Sequence, residues 1–376
     1  MTTMTKAPKR GGTVERWTFR TKGIRDALHA VMPATEARHA VRQCVRIGNG
    51  AIEATTGELR IIVDLPAATG SPILIPAQRL QSILREGAEE VQLEPRGTSV
   101  HITSGRGTWT IPISDAAEWP EMAPADEVAF VRLPADQFCR MARTTIVAID
   151  TESSRYALGG VCIEKKGDDV SFIGTDGRRL HVAAADVDQA TDDASVVVPG
   201  SALAAVARSA EVDSESSVQM MRAGADVVFQ IRGENRPDVT IFARLLEGRY
   251  PRWRDVIPKW VSDTTPTVVS TTWLTAATKS ASICTSDASR GVTFAISTSG
   301  MLLASRSAEY GEAAVTCEIV SCGVATAVTL DPGFLTAFLL TLKDALEVEM
   351  FVLDPESAVV IRHDDTTCVI MPLAAG

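Results

Sequence analysis

The chain has 376 residues, a net charge of −10, 45% hydrophobic residues and 22% charged residues. Its length exceeds what one ordinary core needs and predicts two or three domains, and its composition is typical of a soluble globular protein. No apolar run approaches the roughly 20 residues of a membrane span, so we expect no membrane partner. The seven cysteines and five histidines show no zinc-ligand spacing, so we expect reduced thiols, a cytoplasmic location, and neither metal nor cofactor.

A pattern of strand, helix start, apolar helix and further strands recurs three times along the chain. It begins with ILIP at 73–76, VVVP at 196–199 and VTLDP at 328–332. Pro76, Pro199 and Pro332 are separated by 123 and 133 residues, and the valines at 91, 218 and 348 by 127 and 130. Because the prolines and the valines recur at nearly the same spacing, they indicate an internal triplication of the chain.

Apolar periodicity predicts two helices in each third of the chain, at 21–32 and 76–86, at 134–147 and 199–211, and at 272–285 and 331–344. About eight strands accompany each pair, which favours an α+β class with helices on one side of antiparallel sheet. Polar, proline-bearing segments mark the boundaries. They predict a disordered tail at 1–13 and three similar domains at 14–125, 126–262 and 263–376.

The predicted helices are basic although the chain is acidic. They hold nine Lys or Arg residues and six Asp or Glu residues, a net charge of +3 within a chain of −10. Solvated helix faces would explain these cations as well as a nucleic-acid surface would, so both interpretations stay open on charge alone. The basic residues are Lys22, Arg25, Arg79, Arg85, Arg140, Arg143, Arg208, Lys279 and Lys343.

The segment FIGTDGRRL at 172–180 combines two apolar runs with a polar turn. Thr175 and Asp176 can hydrogen-bond the backbone of the turn, and Gly177 accepts a positive φ at little cost. On local chemistry alone this is a polar hairpin. Two further segments follow it, RLLEGRYPRWRDVIP at 244–258 and CVIMPL at 368–373.

These three motifs, in this order and spacing, resemble the bacterial DNA polymerase III β subunit, the replicative sliding clamp. The threefold repeat extends the resemblance from about residue 14 to the end of the chain. It implies the DNA clamp fold, in which two subunits form a head-to-tail dimeric ring. Helices line the hole around double-stranded DNA without reading its sequence. It also implies that Arg155, Tyr156 and Arg38 match further family contacts with DNA.

In the family the three motifs converge on a hydrophobic pocket that receives short linear peptides from DNA polymerase and clamp-loader subunits. Leu180 and Val256 would serve equally well as core residues, and Met371 as a strand end. Arg178, Asp255 and the terminal Ala374-Ala375-Gly376 depart from the family pattern. The implied pocket comprises Leu158, Thr175, Gly177, Arg178, Arg179, Leu180, Pro251, Asp255, Val256, Val369, Met371, Pro372 and Leu373.

The resemblance further implies a homodimer in which the first domain of one subunit meets the third domain of the other. Trp109 and Ile111 would face Ile283 and Cys284, and an exposed tryptophan on an edge strand needs such cover. The arginines Arg96 and Arg106 would lie opposite an acidic turn from Glu309 to Glu312.

Two other functions remain open. A clamp paralogue could act as a decoy or as an inhibitor-resistant substitute, because the pocket motif is altered. An enzyme using Asp176 in an aspartyl-phosphate-like turn is the alternative of another class. No second carboxylate or lysine stands at a suitable spacing, and the chain has no Walker loop or GxSxG motif, so the sequence favours a non-catalytic subunit.

Overall fold

The computed structural model describes residues 15–120, 126–151, 156–187, 192–211, 215–234, 236–342 and 345–374. The predicted tail at 1–13, Arg155, Lys343 and the side chain of Tyr156 lie outside the described parts. Within the described parts, the strands follow one another in three groups of eight. In each group, one helix follows the first strand and another follows the fifth. This order of elements repeats three times, as the sequence pattern predicts.

Six α-helices lie in the described residues, and each buries an apolar stripe. The fifth and sixth end earlier than predicted. After the fifth, a 3-10 turn at Ser282–Cys284 follows, and the Thr285 backbone N–H and hydroxyl both donate to the Ser282 carbonyl, which closes the helix end. The helices are α1 (Thr21–Val31), α2 (Ala77–Glu86), α3 (Ala135–Ile146), α4 (Gly200–Ala210), α5 (Thr271–Ala281) and α6 (Pro332–Leu339).

The strands are short and, where the pairing is given below, antiparallel. They are β1 (Trp17–Arg20), β2 (Cys44–Gly48), β3 (Ala51–Thr55), β4 (Leu59–Asp64), β5 (Ile73–Pro76), β6 (Glu90–Arg96), β7 (Ser99–Ser104), β8 (Gly107–Pro112), β9 (Glu127–Pro134), β10 (Gly160–Lys166), β11 (Asp169–Thr175), β12 (Arg179–Asp186), β13 (Ala194–Pro199), β14 (Ser217–Ala223), β15 (Asp226–Arg232), β16 (Val239–Arg244), β17 (Thr267–Ser270), β18 (Val292–Ser297), β19 (Gly300–Ser307), β20 (Gly311–Cys317), β21 (Ala327–Leu330), β22 (Glu347–Phe351), β23 (Val359–His363) and β24 (Thr366–Ile370).

The chain forms two compact units. The first unit combines the described part of 1–127 with Val228–Ala243. It contains a four-stranded sheet in the order β1-β6-β7-β8 and the neighbouring strands β5-β2-β3-β4-β16. Ile24 and Leu28 of α1, and Leu80 and Leu84 of α2, are fully or almost fully buried, so both helices pack through one apolar face.

The second unit combines Val128–Val227 with Arg244–Gly376, apart from the residues that are not described. Its eight-stranded sheet has the order β13-β10-β11-β12-β24-β23-β22-β17, and a four-stranded sheet has the order β20-β19-β18-β21. β12 pairs with the last strand of the chain, with Leu180 opposite Val369. The second and third repeats therefore share one continuous sheet, while the division into three domains stays a prediction.

Within the described ranges no helix is both long and apolar enough to cross a membrane. Those ranges also contain no group of three or more His, Cys, Asp or Glu side chains arranged to hold a metal ion.

Candidate functional site

The turn between β11 and β12 is fixed by its own side chains. The Thr175 hydroxyl accepts the Gly177 N–H and donates to the Arg179 carbonyl, at O–O distance 2.6 Å. Asp176 Oδ1 accepts the N–H groups of Arg178 and Arg179, at 2.9 and 3.0 Å. Gly177 has φ +86°, a conformation that side-chain-bearing residues rarely adopt. This turn is therefore rigid, as its Thr-Asp-Gly sequence predicts.

The two arginines after the turn stack on one aromatic ring from another repeat. The guanidinium carbons of Arg178 and Arg179 lie 4.9 and 4.5 Å from the centre of the Phe334 ring. Arg179 also donates through Nε to Asp176 Oδ2 at 3.0 Å, and both of these side chains are largely buried. Phe334 is a site residue that the sequence analysis missed, because only the pairing of β12 with β24 brings α6 to this turn.

Three segments distant in sequence contribute to one apolar cluster beside the turn. Ile173 and Leu180 come from the hairpin, Trp253 from the segment 244–258, and Val360 and Val369 from the C-terminal strands. Leu246, Tyr250, Ile257 and Trp260 pack around it at partial exposure. The three motifs that carry the resemblance therefore meet in the folded chain, within the second unit.

The segment 244–258 is attached to the sheet by specific polar contacts. The Tyr250 hydroxyl donates to the Ile173 carbonyl at 2.9 Å, and burial raises the pKa of this phenol. Trp253 Nε1 donates to Glu164 at 3.2 Å, and Arg254 pairs with the same carboxylate at 2.6 Å. The guanidinium carbon of Arg254 lies 4.1 Å from the centre of the Trp253 ring. Glu164 has no local sequence signal, since its role depends on contacts about 90 residues away in sequence.

The C-terminal segment runs past the same turn. The Met371 N–H donates to the Arg178 carbonyl at 2.9 Å, and the Leu373 N–H donates to the Thr329 carbonyl at 2.8 Å. These bonds leave the Met371 side chain 46% exposed. Because methionine adapts to differently shaped apolar partners, this position suits a wall that receives ligands.

The implied pocket residues divide into buried supports and exposed groups. Leu158, Thr175, Leu180 and Val369 are buried, and Arg179, Pro372 and Leu373 are partly buried. Leu180 is 2% exposed and belongs to the buried cluster, whereas Val256 is 44% exposed. The remaining exposed members are Gly177, Arg178, Pro251, Asp255 and Met371.

A buried histidine supports the site from the opposite face of β12. His181 is fully buried, its Nδ1 lies 2.8 Å from the Thr144 carbonyl of α3, and its ring centre is 5.1 Å from that of Phe338 in α6. Because the carbonyl only accepts, Nδ1 carries the proton and donates. Nε2 has no hydrogen-bond partner among the described residues. Burial lowers the pKa of His181 to about 4, so the ring is neutral at pH 7.

The cations of the predicted helices that the structure describes are exposed or half-buried. Lys22, Arg25, Arg79 and Arg85 are exposed in the first unit, and Lys22 pairs with Asp26 at 2.8 Å. In the second unit Arg208 and Lys279 are exposed and Arg140 is half-buried. Arg143 pairs with Glu211 at the end of α4. Arg38 is exposed in the segment between α1 and β2.

Most residues implied in the dimer interface lie on or near two sheet edges, whereas Arg96 ends the inner strand β6. β8 and β20 each stand last in a four-stranded sheet. Trp109 was expected to be exposed but is half-buried, because its ring covers the backbone of Gly107, and Ile111 is 9% exposed. Ile283 is 74% exposed beside the half-buried Cys284.

The charged residues implied in the dimer interface either form ion pairs within the chain or are exposed. Arg96 pairs with Glu94 at 2.7 Å, and Arg306 pairs with Glu312 at 3.0 Å. Arg106 and Glu309 are exposed.

Comparison with known proteins gives one consistent family. The sequence profile "DNA polymerase III beta subunit, central domain" matches residues 132–252. The beta sliding clamp of Proteus mirabilis is 25% identical over 305 residues, covering 80% of this chain and 81% of the relative. That of Escherichia coli K12 is 26% identical over 309 residues, with the same two shares.

The solved structures agree with this assignment. The DNA polymerase sliding clamp from Bacillus subtilis superposes with a TM-score of 0.86 at 20% identity, covering 97% of this chain and 100% of that structure. At this identity the superposition shows the fold, and the family follows from the profile, the sequence relatives and the three motifs. The chain is a divergent member of the bacterial DNA polymerase III β subunit family, with the DNA clamp fold.

Proposed function

We propose that this chain is a sliding clamp, a processivity factor that encircles duplex DNA and tethers a replicative DNA polymerase and other DNA enzymes to it. The observation that carries the proposal is the convergence of the turn at 175–180, the segment 244–258 and the C-terminal segment on one apolar cluster. In a chain with the clamp fold, this convergence places an adaptable surface where partner peptides would bind. A cytoplasmic location follows from this function.

Peptide binding would use exposed apolar groups supported by the buried cluster. Met371 and Val256 are 46% and 44% exposed, while Leu180 and Val369 beneath the surface are nearly fully buried. A few apolar anchors of a polymerase or clamp-loader peptide would provide most of the binding energy. Asp255, exposed on the 3-10 turn Trp253–Asp255, would repel acidic groups of a peptide at its own end of the site.

DNA binding would rest on weak phosphate contacts from the helices. Lys22, Arg25, Arg79, Arg85 and Arg208 are exposed, and phosphate contacts of this kind carry no base information. Three domains in each of two subunits would form the ring, with β8 and Ile283 at the junctions. Closure of the ring would cover the edge strands β8 and β20.

A catalytic role for Asp176 has little support. Its Oδ1 accepts two backbone N–H groups, and its Oδ2 accepts the Arg179 guanidinium. A carboxylate whose oxygens are all engaged in a turn is poorly placed to attack a substrate. We therefore propose a non-catalytic subunit.

Retention on circular DNA tests encirclement. Protein loaded by its clamp-loader ATPase onto a nicked circle should stay bound at moderate salt and leave when the circle is cut, because a ring then slides off the end. Direct phosphate binding instead weakens with salt, by a log–log slope of about −0.9 per phosphate. Protein that stays on the linear product at the same salt would contradict encirclement.

Charge reversal tests the helix face. Arg25→Glu with Arg79→Glu should impair loading. The control is Arg222→Glu, which changes an exposed arginine on β14 rather than on a helix. Equal loading of both variants would contradict the proposed DNA face.

Calorimetry with a clamp-binding peptide tests the pocket. Met371→Ala should weaken binding about fivefold to thirtyfold, because it removes an apolar wall worth about 1–2 kcal/mol. Val320→Ala is the matched control, since Val320 is 58% exposed but lies outside the implied pocket. Absence of binding by the wild type would favour the decoy function over a tether.

A further inference from the structure

Beside the turn between β11 and β12 lies a polar cavity of about 510 Å³. Phe334 forms part of its wall, and Arg178, Arg179 and Arg290 bring cationic groups to it. Asp150 and Asp176 also line the cavity. All of these residues belong to the second unit.

The three arginines differ in how far their hydrogen-bonding groups are engaged. Arg179 donates to Asp176, and Arg290 pairs with Asp287 at 3.2 Å. Arg178 forms no ion pair among the described residues, and its side chain is exposed. Its guanidinium lies over the Phe334 ring, so the face of the group is covered while the N–H donors in its plane stay available.

The backbone around Arg178 fixes where those donors are. The Arg178 N–H donates to Asp176 Oδ1, and its carbonyl accepts the Met371 N–H at 2.9 Å. Arg178 thus lines the cavity while its backbone is bonded to that of the exposed Met371. Because its guanidinium is stacked and its backbone is bonded on both sides, Arg178 loses less conformational entropy on binding than a mobile surface arginine.

Resting on the proposed peptide binding, we propose that Arg178 on its Phe334 platform selects an acidic side chain in the bound peptide. That side chain lies next to the apolar anchor that contacts Met371. A planar guanidinium with free donors matches a carboxylate, which can accept two parallel hydrogen bonds. Asp176 does not oppose this selection, since Arg179 and the turn already neutralise its carboxylate.

The selection is specific to one end of the site. Asp255 is not among the residues that line this cavity, so its repulsion acts elsewhere along the peptide. A peptide is therefore favoured when its acidic residue adjoins the Met371 anchor.

A pair of peptides tests the proposal by calorimetry on the full chain. Both carry the same apolar anchors, and they differ only by Asp or Asn at the position next to the Met371 anchor. The Asp peptide should bind about fivefold tighter at low salt, as expected for one partly exposed ion pair, and the difference should shrink at high salt. Arg178→Gln should remove the difference, so that this variant binds the Asp and Asn peptides with equal affinity at low and at high salt.

The control Arg222→Gln, which removes an exposed arginine that does not line this cavity, should preserve the difference. Equal affinity of the wild type for the two peptides would overturn the selection by Arg178 while leaving the peptide site intact. An Arg178→Gln variant that still prefers the Asp peptide would overturn it as well. Binding of neither peptide would instead refute the proposed tether, and this inference with it.

Discussion

Acid should destabilise the second unit through His181. Its Nδ1 already donates to the Thr144 carbonyl, so a second proton would have to go on Nε2, which is buried without a partner. The folded state therefore prefers the neutral ring, and the pKa falls from an ordinary 6.5 to about 4. The unfolded chain takes up this proton first as the pH falls, so stability is complete above pH 6.5 and is lost towards pH 4.

The size of the effect follows from the two pKa values. A shift from 6.5 to about 4 corresponds to a total loss of about 3 kcal/mol, and about 2 kcal/mol of it falls between pH 7 and pH 5. Below pH 4 both states carry the proton, so no further loss comes from this group.

The assay is denaturant unfolding of the wild type and of His181→Asn at several pH values, followed by tryptophan fluorescence. Asparagine keeps an N–H donor near the position of Nδ1 but does not titrate in this range. The variant starts less stable because it leaves a cavity, yet the gap between the two proteins should narrow by about 2 kcal/mol from pH 7 to pH 5. A gap that is constant to within about 0.5 kcal/mol would mean that folding does not lower the pKa of His181.

Three further outcomes are expected. Gly174→Ala should destabilise the protein by about 2–3 kcal/mol in thermal unfolding, because the new Cβ would lie 2.1 Å from the Thr145 carbonyl oxygen. A variant with the wild-type melting temperature would contradict this close packing. Asp176→Ala should lower the free energy of unfolding by about 2 kcal/mol in the same assay, since it removes two turn hydrogen bonds and the ion pair with Arg179. An unchanged stability would mean that the turn forms without these contacts. Ile283→Asp should shift the protein towards monomer in light scattering, because it places a charge in the proposed junction, and a monomeric wild type at micromolar concentration would rule out the ring.

Local sequence signals were sufficient for most of the secondary structure. The helix preceded by Pro134 and the turn at Thr175 and Asp176 follow from chain stiffness, side-chain hydrogen bonds and apolar periodicity, which act over a few residues. The repeat of the valine and proline markers predicted the threefold order of elements for the same reason. Local patterns also identified Leu180 as a candidate core residue, although they could not decide between core and pocket.

The site itself depended on tertiary structure. Only the pairing of β12 with β24 sets Leu180 opposite Val369 and brings Phe334 of α6 under Arg178. The same packing buries His181 between Thr144 and Phe338 and lowers its pKa, although nothing near it in sequence distinguishes it from a surface histidine. Periodicity determines which face of a strand is apolar, but the partner on that face comes from elsewhere in the chain. Burial, stacking and pKa shifts arise from that partner, so only the folded structure could decide them.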